Sequence, residues 1–248
     1  MSADTAPLDW LLRPLSGALE HHVSGYVAWH GRGMVLAWAI LVPVGILVAR
    51  YFKVTPRQDW PARLDNRFWW HAHRTLQIAA FAISIAALWS VRHVAGSPDS
   101  VARAHALAGW CVLALGLLQV LSGFLRGTKG GPTGERSTAG DWRGDHYDMT
   151  SRRVAFECVH KFGGWFATAL AIAAIVLGLV VADAPRWMLI VAIGWWLLLA
   201  GCAYAWQRQG RCLDTYQAIW GPDPIHPGNQ RRPIGPGVRQ VHIDPSSG

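Results

Sequence analysis

Residues 104–125 read AHALAGWCVLALGLLQVLSGFL, and the reading of this stretch decides the fold. It carries no Asp, Glu, Lys or Arg. A run of roughly 20 apolar residues is long enough to cross a bilayer as a helix. His105 stands in its first turn, where an imidazole in lipid is costly unless it is paired, hydrated or bound to something. Four further stretches of similar length and character lie at about 31–50, 69–91, 161–182 and 187–206. None of the five shows the residue-by-residue alternation of a membrane barrel strand. The chain therefore reads as an all-α integral membrane protein with five transmembrane helices, the first four forming a four-helix bundle.

Composition agrees with that reading. Of the 248 residues, 52% are hydrophobic and 15% charged, and the 15 tryptophans concentrate near the ends of the apolar runs, where interfacial belts place them. The formal charge of +8 would point a soluble protein towards nucleic acid. Here the basic residues follow membrane topology instead, and no nucleic-acid partner is expected. Of the 23 Lys and Arg, only Arg13, Arg32, Arg92, Arg103 and Arg186 fall on the face shared by the N-terminus and the second and fourth loops. The positive-inside rule then sets the N-terminus outside and the C-terminus in the cytoplasm, in a bacterial inner membrane if the compactness of the chain is a guide.

Residues 1–28 read as an N-terminal interfacial segment, with a short amphipathic helix near 9–22 and no signal-peptide pattern. Residues 29–206 form the transmembrane domain, and 207–248 a cytoplasmic tail rich in Pro and Gly, irregular apart from a short interfacial turn at 214–220. The loop at 127–153 is rich in Gly and charge, lacks a Walker pattern, and reads as a flexible cytoplasmic loop that could cover the site beneath it. Cys111, Cys158, Cys202 and Cys212 form no CxxC pair and no CxxCH haem-attachment motif, so they carry no assigned chemistry.

The histidines carry the functional signal. His30, His73, His105 and His160 each open an apolar stretch. Short loops make consecutive spans antiparallel, so His30 and His105 share the outer face while His73 and His160 share the cytoplasmic one. A single histidine at a helix start reads as interfacial; four that alternate faces in step with the topology read as two facing pairs. A pair of imidazoles from facing helices can hold a haem iron axially. Gly33, Gly109, Gly163 and Gly164 lie one turn from these ligands and would leave room for a flat macrocycle, and Gln77 could hydrogen-bond beside it. Arg74, Arg152, Arg153 and Lys161 are candidates for the propionates. His71 is the alternative to His73, which is preferred because it shares a face with Gln77. His21, His22, His93, His146, His226 and His242 lie in loops or tails and read as solvated. Zinc fits poorly, because it wants four ligands and only Glu157 stands near any of these turns.

Four segments, in this order, resemble the cytochrome b561 family, in particular the domain often linked to a DOMON domain: HGRGMVLAW with PVGILVAR, HRTLQ, HALAGWCVLALGLLQ, and RRVAFECVHKFGG. They cover about residues 30–182. The resemblance implies two non-covalent haem b groups, with His30 and His105 as iron ligands of the outer one and His73 and His160 as ligands of the cytoplasmic one. It implies a di-haem cytochrome that carries electrons across the membrane, an oxidoreductase in the broad sense. The partners implied are membrane lipid and either a small reductant, ascorbate-like or a quinol, or a redox partner protein. No DOMON domain is expected before the core, and the family's usual six spans are here five. The competing expectation is a haem-bearing membrane anchor that docks a partner redox enzyme. Ligands near opposite ends of 20-residue helices would lie roughly 20–25 Å apart, close enough for transfer between haem edges.

Overall fold

The computed structural model describes residues 6–20, 22–94, 96, 99–132 and 142–242. The described residues are helical, with a short α1 (Ala6–Leu12) and then α2 (Gly25–Tyr51), α3 (Phe68–Ser90), α4 (Ser100–Phe124), α5 (Ser151–Val181) and α6 (Arg186–Arg208). A short α7 (Thr215–Trp220) and one 3-10 turn (Pro227–Gln230) follow. Among the described residues, α2, α4, α5 and α6 are long and apolar enough to cross a membrane. The fifth expected span, α3, is 23 residues long but is not among them. His71, His73, Arg74 and Gln77 crowd its first turns and lower its hydropathy. The protein is an all-α, multi-pass membrane protein.

Local chemistry explains where the helices start. The Ser24 hydroxyl accepts from Val27 N–H at the head of α2, and Asp99 accepts from the Val101 and Ala102 N–H groups at the head of α4. The Thr150 hydroxyl accepts from Arg153 N–H at the head of α5. That helix begins ten residues before the apolar run at 161. Glu157 pairs with Arg153 and with Lys161, each four residues away, and the two ion pairs support helix through the charged turns.

Proline shapes α2. Residues Val35–Leu41 wind as a π-helix just before Pro43. Pro43 has no N–H to offer the Ala39 carbonyl four residues back. The Trp195 indole N–H donates to that carbonyl instead, at 2.7 Å. Gln77 donates to the Val42 carbonyl, at 3.1 Å. The Gln77 amide nitrogen is thus engaged with the backbone of α2.

The chain divides into two compact units. The first comprises Met1–Pro43, Leu76–Gly116 and Phe166–Cys202. Its core is built from small side chains, Ala37, Ala39, Ala80, Ser84, Ala87, Ala167 and Ala171 among them, as expected where helices approach closely in lipid. Trp38 is the large residue they enclose. Its indole donates to Ser84 at 2.9 Å, and Ser84 donates to the Ala80 carbonyl. A Cβ at Gly116 would meet the Trp38 ring at 3.1 Å. At the end of α5 in this unit, Ser16 binds the Asp183 carboxylate through both its N–H and its hydroxyl.

The second unit comprises Val44–Thr75, Leu117–Trp165 and Ala203–Gly248. Its core joins Tyr147, Met149, Tyr216, Ile219 and Trp220. The stretch expected to be an interfacial turn is helix α7, and every one of its residues is buried. The tail is irregular but tied down: Lys161 donates to the Ile234 carbonyl, Gln207 to that of Gly237 and Gln217 to that of Val241. The described parts of the 127–153 loop are likewise fastened, with Asp145 accepting from Thr128 and Thr150. Residues 133–141 of that loop lie outside the described residues.

Candidate functional site

Each unit contains one pair of the predicted histidines. In the first unit the His30 and His105 rings stand 6.1 Å apart between centres and nearly perpendicular, at 86°. In the second the His73 and His160 rings are 6.2 Å apart at 76°. His71 is exposed and outside both pairs, whereas His73 is half-buried.

The hydrogen bonds follow one pattern. His30 Nδ1 meets the Ala87 carbonyl at 3.1 Å, His105 Nδ1 that of Ala174 at 2.9 Å, and His73 Nδ1 that of Gly45 at 3.0 Å. A carbonyl only accepts, so in each of these rings Nδ1 carries the proton and Nε2 keeps its lone pair. His160 Nδ1 instead meets the Ser122 hydroxyl, at 3.0 Å. The support is reciprocal along the chain. α2 carries His30 and the carbonyl that holds His73, and α3 carries His73 and the carbonyl that holds His30. α4 and α5 exchange support in the same way, through Ala174 and Ser122.

These pairs fit a metal held by two imidazoles. With about 2 Å from metal to each donor nitrogen and about 1.1 Å from nitrogen to ring centre, two axial imidazoles place their centres about 6.2 Å apart. A metal-bound imidazole ordinarily donates its other N–H to a carbonyl or similar acceptor, which fixes ring and tautomer. Among the described residues no group of three or more His, Cys, Asp or Glu could hold a metal, and Glu157 is taken by Arg153 and Lys161. A zinc site finds no support there.

The glycines divide by what lies against them. Gly109 and Gly164 face open space, whereas a Cβ at Gly33 would strike Ala87 and one at Gly163 the Gln119 amide. Gly33 and Gly163 therefore serve close packing of protein on protein. Sequence reasoning missed Gly178, where a Cβ would lie 2.9 Å from His105 Cε1. It also missed the backbone acceptors, which no side chain advertises. Ser122 alone left a readable signal, a hydroxyl one turn from the end of an otherwise apolar run.

Of the four cations expected near propionates, Arg153 and Lys161 are engaged with Glu157, at 2.9 and 2.6 Å. Arg74 and Arg152 are exposed. Arg126 adds a further guanidinium, stacked over Trp70 at 4.1 Å, with Arg74 over the same ring at 5.8 Å.

Two histidines expected to be solvated are buried. His146 is 5% exposed, set against Trp220 with ring centres 4.5 Å apart and with Nε2 3.7 Å from the Glu157 carboxylate. Burial, reinforced by the Arg153 charge, pushes its pKa well below the ordinary histidine value. His226 receives the Tyr147 hydroxyl at Nδ1, at 3.0 Å. The loop residues fold back onto α7 rather than into water. His22, His93 and His242 are exposed as expected, and His21 lies outside the described residues. Lys53, also buried, donates to the Leu213 carbonyl at 2.9 Å, and burial lowers its pKa to about 8. All four cysteines are free thiols.

Comparison with known proteins gives a consistent set of relatives. The chain is 29% identical over 151 residues to ferric-chelate reductase 1 of Bos taurus, covering 60% of this chain and 22% of that protein. It is 27% identical over 136 residues to a cytochrome b561 and DOMON domain-containing protein of Arabidopsis thaliana, covering 54% and 31%. A second Arabidopsis thaliana protein of the same description is 30% identical over 99 residues, covering 39% and 23%. The chain spans less than a third of the length of each of these relatives. All three are eukaryotic and lend no support to a bacterial location. No protein-family model and no solved structure matches the chain.

Proposed function

Since the chain belongs to the cytochrome b561 family, we propose that it is a transmembrane electron carrier with two non-covalent haem b groups, one held by His30 and His105 and the other by His73 and His160. The observation that carries this is the repeated pair: ring centres 6.1 and 6.2 Å apart, with Nδ1 of His30, His73 and His105 each committed to a backbone carbonyl, which leaves the lone pair of those rings on Nε2. Haem, when bound, supplies the one-electron chemistry, with potentials set by axial ligand, hydrogen bonding and burial. The chain's part is to aim four imidazoles, to hold their tautomer, and to surround each pair with apolar helix. Arg74, Arg152 and Arg126 are the cations left to meet propionates on the His73–His160 side.

The basic excess on the first and third loops and the tail supports a cytoplasmic C-terminus and an outer N-terminus, with α3 as a fifth span. The donor is then a small cytoplasmic reductant, ascorbate-like or a quinol. The acceptor lies on the opposite face, and a ferric chelate is the class that the name of the bovine relative supplies.

The test is a haem-to-protein ratio with a reduced-minus-oxidised spectrum on purified protein. Two b-type haems per chain are expected, and His105→Ala and His160→Ala should each remove one. A haem-free wild type, or loss of both haems from either variant, overturns the assignment. Vesicles loaded with ascorbate should reduce an external ferric chelate; failure to do so with both haems present overturns the transmembrane role alone.

A further inference from the structure

Three of the four paired imidazoles give Nδ1–H to a backbone carbonyl, that of Ala87, Ala174 or Gly45. His160 is held differently. The Gln119 side-chain amide lies 2.8 Å from its Nδ1, closer than the Ser122 hydroxyl at 3.0 Å. That hydroxyl spends its one proton on the Gln119 backbone carbonyl, at 2.9 Å. Gln119 stands on α4 and His160 on α5, so the amide reaches the ring from the neighbouring helix. It is also the one side-chain amide in the apolar run 104–125, where a polar group is costly unless it has a partner.

The two ends of that amide act on the ring in opposite ways. With its NH2 towards the ring it donates to Nδ1 and to the His160 carbonyl, at 3.1 Å, while its oxygen takes Gly164 N–H, at 3.3 Å. The ring proton then sits on Nε2, and the nitrogen that a metal needs is closed. With Oε1 towards the ring, the oxygen accepts Nδ1–H and the lone pair lies on Nε2. A ring bound to metal through Nε2 admits only this second orientation, because NH2 against Nδ1–H would set two donors face to face. Gly163 leaves the amide its space, since a Cβ there would lie 2.5 Å from the amide nitrogen. Phe156, stacked on the ring with centres 5.1 Å apart, fixes its plane.

We propose that Gln119 is the positioning residue of His160: its amide oxygen takes the Nδ1 proton, keeps the ring in the ligating tautomer, and sets the donor strength of that ligand in the His73–His160 centre. This rests on the haem reading above. An imidazole that gives its other N–H to an acceptor is a stronger ligand, and a stronger ligand favours the oxidised metal. Removing the amide weakens His160 and favours the reduced form. A carboxylate in its place accepts more strongly and acts in the reverse direction. The other three ligands take their acceptor from the backbone, so this is the one centre whose potential a single side-chain replacement beside a ligand can move either way.

The experiment is a spectroelectrochemical titration of the full chain with both haems bound, comparing wild type, Gln119→Leu and Gln119→Glu. The centre missing from His160→Ala identifies the one to follow. Gln119→Leu should raise its midpoint potential and alter its low-spin electron paramagnetic resonance signal, leaving the other centre as it was. Gln119→Glu should lower the same potential. If Gln119→Leu loses that haem outright, its retention in Gln119→Glu supports the role, and loss from both variants overturns it. Unchanged potentials in Gln119→Leu with two haems bound, equal shifts of both centres, or shifts of the same sign in the two variants overturn it while leaving the haem reading intact. A wild type without haem overturns the haem reading and this inference with it.

Discussion

Substitution of Gly178 by alanine should separate the stability of the protein from the integrity of one site. The added Cβ would stand 2.9 Å from His105 Cε1 and 3.2 Å from Nδ1, inside ordinary contact distance. To restore contact the ring must retreat by about 0.5–1 Å, as close-packed interiors transmit such strain rather than absorb it. The ring is tethered by the 2.9 Å bond from Nδ1 to the Ala174 carbonyl. A retreat of that size stretches the bond to roughly 3.5 Å, past useful hydrogen-bond range. Losing it costs about 1 kcal/mol. Gly178 lies in the last turn of α5 (Ser151–Val181), where replacing glycine by alanine returns up to about 1 kcal/mol of helix propensity. The two nearly cancel, so melting in detergent should move little. The site has no such compensation, because a ligand displaced by more than about 0.5 Å no longer meets its geometry. Haem content should fall towards one per chain, or the spectrum of one centre should change, with the other intact. Gly194→Ala, where nothing lies within 4 Å, is the control for propensity alone. Two full-strength haems with an unaltered spectrum in Gly178→Ala would refute the reasoning.

Three other outcomes follow from the same contacts. Trp195→Phe should destabilise the fold by about 1 kcal/mol, because the Ala39 carbonyl freed by Pro43 loses its donor; thermal unfolding in detergent measures it, and no loss would mean that the carbonyl finds another partner. His71→Ala should retain both haems and wild-type spectra, since His71 is exposed and outside the pairs, whereas His73→Ala should lose one. His146 has a folded-state pKa held below its unfolded value, by burial first and then by the Arg153 charge. As pH falls below about 6.5 the unfolded chain takes up the proton before the folded one does, so stability should drop by about 1.4 kcal/mol per pH unit from this group. Chemical unfolding at pH 7 and pH 5 should therefore show acid sensitivity that His146→Gln reduces; an equal pH slope in the variant would count against it.

The helices and the histidine pairing were legible because both rest on long-range periodicity. Apolar runs of fixed length announce themselves, and antiparallel succession dictates which helix starts share a face. What could not be read depends on backbone atoms and on folding of polar segments. The carbonyls of Gly45, Ala87 and Ala174 belong to residues with no distinguishing side chain, and Gly178 acts by having none. His146, His226 and residues 215–220 looked solvated because their neighbours in sequence are polar, yet they pack together as the core of the second unit around Trp220. The sequence displays Pro43 without displaying that Trp195 will serve the Ala39 carbonyl.

The reciprocal support between α2 and α3, and between α4 and α5, bears on how the protein is assembled. Each hairpin holds its own two imidazoles by contacts made within the hairpin, one at each end. Each histidine pair, by contrast, joins one hairpin to the other: His30 with His105, and His73 with His160. On the proposed reading, insertion of a hairpin aims its imidazoles before any haem arrives, and haem bound afterwards would tie one hairpin to the other.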